Sequence, residues 1–202
     1  MKTHAILLAG GSSNRFSDEE NKVYFPIGRK PALCWPLETL EKSELVDSII
    51  LVIREEDWDK TNNVIELIDP KKLIGVVVGG NSRHESEYEG LKHLKDSKKV
   101  EEEDLILIHD GARPLLPEYL LNELINVANK YGAAAPGFNS KNLSKKEKSS
   151  SVDIETIVEI QTPQVFPASE LWKSYELAKL DNWQAVDTTE CVSKYSGMEA
   201  MV

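Results

Sequence analysis

A glycine turn followed by two cations is the first place in this chain where residue type and spacing point to chemistry. Leu7-Leu8-Ala9-Gly10-Gly11-Ser12-Ser13-Asn14-Arg15-Phe16 follows directly on an apolar run, and Lys22 comes a few positions later. Gly10 and Gly11 put no Cβ between the peptide N–H groups and an approaching anion, and Ser12, Ser13 and Asn14 add short polar caps. That arrangement reads as a cradle for phosphate or as a turn that only caps a helix. Arg15 and Lys22 favour the cradle, because paired cations there concentrate positive potential in an otherwise acidic chain. Neither the P-loop pattern nor the dinucleotide pattern of glycines is present, so both of those binding modes drop out.

Two further stretches share this layout of an apolar run that breaks into polar residues. In Leu107-Ile108-His109-Asp110-Gly111-Ala112-Arg113-Pro114 the run ends in an acid. Asp110 there suits Mg²⁺, a hard cation that takes oxygen ligands and keeps much of its water, or else it caps a turn and pairs with Arg113. His109 has no partner acid, base or metal-spaced neighbour and reads as structural. In Gly79-Gly80-Asn81-Ser82-Arg83-His84-Glu85-Ser86 the glycines allow close backbone approach, Asn81 or Ser82 can cap a helix, and Ser86 lies one turn inside it. This is a ledge for a nucleobase or a plain helix cap.

The elements that must position these residues follow from the apolar pattern. Ala5 to Ala9, Ser48 to Ile53, Ile74 to Val78, Leu105 to Ile108 and, more weakly, Ala133 to Ala135 are continuous apolar runs of strand length. Continuous apolarity predicts strands buried on both faces, hence central parallel strands. Helical periodicity predicts helices near 33–43, 57–68, 82–95, 117–130, 168–179 and 188–196, with Gly132 stopping the fourth. Repeated strand–helix alternation predicts an α/β fold with a doubly wound, mostly parallel sheet, and ligands then bind outside the carboxyl ends of its strands. The polar, Ser/Lys-rich stretch at 137–160 interrupts the pattern. It reads as a protruding hairpin arm able to embrace a second subunit or as a mobile surface insertion. With no internal repeat or linker, residues 1–202 are expected to form a single domain carrying that arm.

Composition narrows the function. The chain has 202 residues, 24 Lys+Arg against 34 Asp+Glu and a net charge of −10, the wrong sign for a protein held to nucleic acid or anionic lipid. Cys34 and Cys191 are far apart and form neither a disulfide framework nor a zinc site, and no apolar run is long enough to span a membrane. A cytoplasmic protein with no nucleic-acid or membrane partner is the expectation.

Together the blocks Ala9-Gly10-Gly11…Arg15…Lys22, Gly79-Gly80…Arg83…Ser86, His109-Asp110-Gly111-Ala112-Arg113-Pro114 and Gln161-Thr162-Pro163-Gln164-Val165-Phe166 resemble the cytidylyltransferases that make CDP-linked polyols. These are the 2-C-methyl-D-erythritol 4-phosphate cytidylyltransferases and their ribitol-5-phosphate relatives. The resemblance implies a Rossmann-like sheet of nucleotidyltransferase type with a protruding β-arm, a homodimer clasped by that arm, and CTP with Mg²⁺. It implies that Ala9, Gly10 and Gly11 line the nucleotide site, that Gly80, Asn81 and Ser86 hold the cytidine, and that Asp110 serves the nucleotide and its metal. Arg15 and Lys22 are then the catalytic cations. Arg113 and Ser140, the latter at an arm position usually held by Thr, are the acceptor-binding candidates. The chain departs from the pattern at Ser13, at Asn139 and at Ile154, which stands where the arm usually has Arg, and Val202 precedes the family's closing strand and its Asn-x-Lys segment. The implied activity is transfer of CMP from CTP to a polyol phosphate, with 2-C-methyl-D-erythritol 4-phosphate, an isoprenoid precursor, as the favoured acceptor. Ribitol-5-phosphate or another sugar phosphate is the alternative acceptor, and a nucleotide-binding protein impaired in catalysis is the alternative class.

Overall fold

The computed structural model describes residues 1–11, 21–139 and 158–202. Along the chain the elements are β1 (Thr3–Leu8), β2 (Pro26–Ile27), β3 (Lys30–Pro31), α1 (Cys34–Lys42), β4 (Ser48–Ile53), α2 (Trp58–Ile68), β5 (Leu73–Val78) and α3 (Arg83–Asp96). They continue with β6 (Leu105–Asp110), α4 (Glu118–Tyr131), β7 (Gly137–Asn139), β8 (Val158–Ile160), β9 (Gln164–Pro167), α5 (Ala168–Leu180) and α6 (Thr188–Ser196). The central sheet has the order β5-β4-β1-β6-β9. Its first four strands are parallel, and β9 closes the far side antiparallel to β6.

The apolar runs are continuous because both sides of the sheet are covered. Ala5 and Leu7 of β1 face a core built with Leu37 and Leu40 of α1, Val64 of α2 and Leu121, Leu124 and Ile125 of α4. Ile6 and Leu8 face the opposite core, with Leu91 and Leu94 of α3, Leu171 and Tyr175 of α5 and Val192 of α6. Alternate residues of one strand therefore feed two cores, and the few polar side chains buried there, such as His4 and His109, are hydrogen-bonded. Among the described residues no helix is long and apolar enough to cross a membrane. Both cysteines are buried and free, and burial pushes the Cys191 thiol up to about 12.

Two strand expectations need correcting. The run at Ile74 to Val78 is not central: β5 pairs only with β4, and all its residues are half-buried. Ala133 to Ala135 is not a strand of the sheet. Only Ala134 bridges, antiparallel to Val165 and parallel to Met201. The three alanines are buried where the chain runs alongside β9 after Gly132 ends α4 at φ +99°, and burial alone made them look like a strand. At the predicted arm, β7 and β8 pair antiparallel from Gly137 opposite Ile160 to Asn139 opposite Val158. Residues 140–157, including Ser140 and Ile154, lie outside the described residues.

Where β6 ends, two residues hold the chain close to its neighbours. The Gly111 amide donates to Leu8 O at 2.7 Å, and a Cβ on Gly111 would lie 2.9 Å from that same oxygen and 2.8 Å from Leu33 Cδ1. His109 is buried, with Nε2 3.2 Å from Arg113 O and Nδ1 3.0 Å from Thr162 Oγ1. A carbonyl only accepts, so Nε2 carries the proton and Nδ1 accepts from the Thr162 hydroxyl. Thr162 Oγ1 in turn accepts the Asp110 amide at 3.3 Å. Burial holds the His109 pKa down at about 4 despite the nearby Asp110.

Gly111→Ala is expected to lose about 1–3 kcal/mol of stability in urea unfolding, since a backbone oxygen cannot move aside; an unchanged midpoint would contradict the close packing. His109 gives a pH dependence of known sign. It stays neutral in the folded protein to about pH 4 while the unfolded chain protonates near its ordinary 6.5, so its contribution is complete above 6.5 and is lost as pH falls towards 4. Up to about 3 kcal/mol is at stake. In urea titrations with EDTA, the stability gap between wild type and His109→Asn should narrow on acidification, and a gap constant with pH would show that His109 is not held neutral.

Candidate active site

Three loops leave the same edge of the sheet, each extending the strand ladder by one bond. The Ala9 amide donates to Val52 O at 2.7 Å, the Gly79 amide to Ile53 O at 2.8 Å and the Gly111 amide to Leu8 O. Because β1 and β6 pair in register with Leu8 opposite Asp110, the glycine turn starts two residues beyond the level of the carboxylate. The loops enclose a cavity of about 490 Å³. Gly10, Gly11, Asn21 and Lys22 line it from the first loop, Gly80, Asn81, Ser82, Arg83 and Ser86 from the second, and Asp110, Ala112 and Arg113 from the third.

Local physics explains how each loop is shaped. Ser82 caps α3 by accepting the Glu85 amide at 3.1 Å, and the Glu85 carboxylate returns to accept the Asn81 amide at 2.7 Å. A Cβ on Gly80 would collide with Glu85, so only glycine lets the loop pass over this cap. Ser86 donates to Ser82 O at 2.9 Å and so stays at the cavity wall. In the first loop the buried Asn21 side chain donates to Ala9 O at 2.6 Å and to Asp57 Oδ2 at 2.9 Å, while its oxygen caps the 3₁₀ turn Lys22–Tyr24. Arg54 holds Asp57 in turn, with Nε 2.7 Å from Oδ2. Lys22 is thereby fixed against the end of β1 while its own side chain is exposed.

Charge in the cavity centres on Asp110. Its Oδ1 lies 3.3 Å from Arg83 Nη2, and its Oδ2 accepts from Arg113 Nε at 3.1 Å. Arg113 Nη1 also donates to Gln161 Oε1. Arg83 reaches back to the fully buried Glu87, with Nη2 3.2 Å from Oε1, and donates through Nη1 to Val186 O at 3.2 Å. Burial works to lower the Arg83 pKa, yet Glu87 and Asp110 outweigh it and the pKa is raised. Burial raises the Glu87 carboxyl pKa against the opposing pull of Arg83.

The cavity thus gathers Gly10, Gly11, Lys22, Gly80, Asn81, Ser86, Asp110 and Arg113 from the residues expected on sequence. Ala9 is instead fully buried behind the wall, where it anchors Asn21. Arg15 and Ser140 lie outside the described residues. Sequence reasoning assigned no role to Asn21, Arg83, Gln161 or Glu87. An Asn immediately before the lysine and an Arg–Glu pair four apart on one helix were the available signals. For a metal, the described residues hold no group of three His, Cys, Asp or Glu side chains. A single carboxylate fits Mg²⁺ shared with substrate phosphates and water, which needs no all-protein cage, provided one Asp110 oxygen is released by its arginine.

The sequence model of the 2-C-methyl-D-erythritol 4-phosphate cytidylyltransferase family matches residues 3–202. Proteins of that name from Clostridium tetani and Clostridium beijerinckii are 34% and 33% identical, covering 100% and 93% of this chain and 81% and 83% of their own lengths. Among solved structures, the 4-diphosphocytidyl-2C-methyl-D-erythritol synthase of Anaerococcus prevotii superposes with a TM-score of 0.79 at 27% identity, covering 100% of this chain and 85% of that one. A second structure of a protein with that synthase name gives 0.77 at 26% identity, with 100% and 88% covered. The cavity at three strand ends and the match along almost the whole chain lead to one conclusion: this protein belongs to the 2-C-methyl-D-erythritol 4-phosphate cytidylyltransferase family.

Proposed function

We propose that this chain is a cytidylyltransferase that moves CMP from CTP to 2-C-methyl-D-erythritol 4-phosphate, releasing pyrophosphate, as a step of isoprenoid precursor synthesis in the cytoplasm. The observation that carries the reading is the glycine-lined cavity that Lys22 also lines and in which Arg83 and Arg113 face Asp110, in a member of this family. An acceptor phosphate oxygen forms a bond to the α-phosphorus of CTP, the bond from that phosphorus to the bridging oxygen breaks, and its electron pair leaves with pyrophosphate. A phosphate monoester is already largely dianionic at neutral pH, its second pKa being about 6, so no general base is needed. What remains for the protein is positioning and neutralisation of charge.

In this reading the Gly10 and Gly11 amides and Lys22 hold the triphosphate, with Arg15 from the same loop. Gly80, Asn81 and Ser86 take the cytidine, where a short hydroxyl and peptide groups select a base by hydrogen bonding. Arg113, braced by Asp110 and Gln161, takes the acceptor phosphate, and Ser140 joins it from the arm of a second copy in a homodimer. Asp110 would hold Mg²⁺, which would screen the phosphate charge. Three cations of an otherwise acidic chain converge on the crevice, which draws the polyanionic nucleotide there.

The test is pyrophosphate release with CTP against ATP, GTP and UTP, offered 2-C-methyl-D-erythritol 4-phosphate or ribitol-5-phosphate. Turnover is expected with CTP and the erythritol acceptor, and turnover with ribitol-5-phosphate alone would overturn the assignment of acceptor. Lys22→Ala should lower kcat by about 10²–10³, by analogy with removing one preorganised donor to a charged transition state. Because Lys22 is exposed, its stability should change by no more than about 0.5 kcal/mol. Parallel losses of activity and stability would remove Lys22 from the chemistry.

A further inference from the structure

Behind the cavity lies a carboxylate to which the proposed reaction assigns no part. Glu87 sits on α3, one turn beyond Arg83, and its side chain is fully buried against the sheet. A lone buried carboxylate is costly, and this one is surrounded by partners. Tyr175 Oη of α5 donates to Oε2 at 2.5 Å, and Thr188 Oγ1 at the start of α6 donates to Oε1 at 3.0 Å. Two neighbouring helices of the same layer thus fix the orientation of the carboxylate. The remaining contact is Arg83 Nη2, 3.2 Å from Oε1.

Arg83 links this buried group to the cavity. The same Nη2 that faces Glu87 is 3.3 Å from Asp110 Oδ1. Both Nη2 and Nε are buried and make no hydrogen bond, so the guanidinium is held between two carboxylates by charge and by its one bond through Nη1 to Val186 O. Without Glu87, Asp110 would be the one carboxylate among the described residues still within ion-pair distance of Arg83, with Asp187 acting from further away, and Arg83 and Asp110 would collapse into a tighter pair in the absence of substrate. That pair would occupy the oxygen that Asp110 needs for other work and pull the guanidinium away from its place in the wall. With Glu87 present, Arg83 is retained by a group that substrate cannot reach, and Asp110 can exchange partners without releasing the arginine.

We propose that Glu87 is a positioning residue, which holds the Arg83 guanidinium in the cavity wall from behind and so frees Asp110 to engage the bound nucleotide and its metal. This rests on the CTP-dependent reading above and adds a residue to it. It also explains why a core position on α3 carries an acid when its neighbours Gly90, Leu91 and Leu94 are packed as an apolar face.

The test is calorimetric titration of CTP, with and without Mg²⁺, into wild type, Glu87→Gln, Arg83→Lys and the double variant, alongside thermal unfolding of each. Glu87→Gln should weaken CTP binding by about tenfold or more, and the loss should be larger with Mg²⁺ than without, as Arg83 stays on Asp110. In the Arg83→Lys background the same change should cost little more, because pairs that act through one contact are not additive. Tyr175→Phe, which loosens Glu87 without removing its charge, provides a second route if Glu87→Gln unfolds, and it should shift CTP affinity in the same direction by a smaller factor. Unchanged CTP affinity in Glu87→Gln or Tyr175→Phe, or fully additive losses in the double variant, would overturn the positioning role while leaving the CTP reading intact. Failure of the wild type itself to bind CTP would sink the CTP reading and the proposal with it.

Discussion

Parallel pairing of β1 between β4 and β6 is the constraint on which the rest of this structure depends. In a parallel ladder all carboxyl ends point the same way, so every loop that follows a strand is delivered to one edge. Leu8 stands opposite both Val52 and Asp110, and that register brings a glycine turn, a helix cap and a carboxylate to one level. A slip of one residue in β6 would turn Leu107 and Ile108 to the wrong cores and carry Asp110 away from the cavity at the same time. The packing that stabilises the sheet and the geometry that makes a site are therefore the same arrangement, and one cannot drift without the other.

Charge is the second level of organisation. A chain of net −10 places Lys22, Arg83 and Arg113 around one cavity and sets acids beside the arginines: Glu87 and Asp110 around Arg83, and Asp110, together with the Gln161 amide, around Arg113, while Asp57 is paired with Arg54 under the first loop. Buried ion pairs are poor evidence for stability, because desolvation offsets much of the attraction. Their value here is directional. An arginine with one fixed partner and one exchangeable partner keeps its position when a phosphate arrives, whereas a free arginine side chain would lose rotamer entropy at every binding event.

How much of this was legible in the sequence depended on whether the signal was local. The strands were readable because burial on both faces writes itself as an unbroken apolar run, and β4 spans the same residues, Ser48–Ile53, as its run. Strand order is not local, so nothing in Ile74 to Val78 distinguishes an edge from a centre, and the alanines at 133–135 read alike whether they pair or merely pack. In the site, Gly10, Gly11, Lys22 and Asp110 were legible by type and by following a strand. Glu87 was masked by the alternating Glu85, Glu87 and Glu89 of α3, and its spacing from Arg83, Leu91 and Leu94 was the signal that sets it inward. Ala9 adjoins the glycines, and what its position in the sequence does not reveal is that its amide continues the ladder to Val52 O and its side chain is fully buried.

The clasp at His109 shows why the two halves of the site cannot be treated separately. Thr162 joins His109 Nδ1 and the Asp110 amide through one hydroxyl, and Gln161, the residue before it, braces Arg113. The imidazole then returns through Nε2 to the Arg113 carbonyl, closing a ring of contacts around the end of β6. Protonating His109 would put a second donor on Nδ1, and the Thr162 hydroxyl would have to rotate to accept it. That hydroxyl no longer needs to donate to the ring, but it would then face two donors, the Asp110 amide and Nδ1–H, and its own hydrogen would be left without a described acceptor. The segment that carries Gln161 is thus tied to the protonation state of a buried ring beneath Asp110. A ring kept neutral by burial well below neutral pH fixes the backbone that carries Asp110 and Arg113 through the range in which phosphate esters take up their second proton, and leaves the two side chains free to exchange partners.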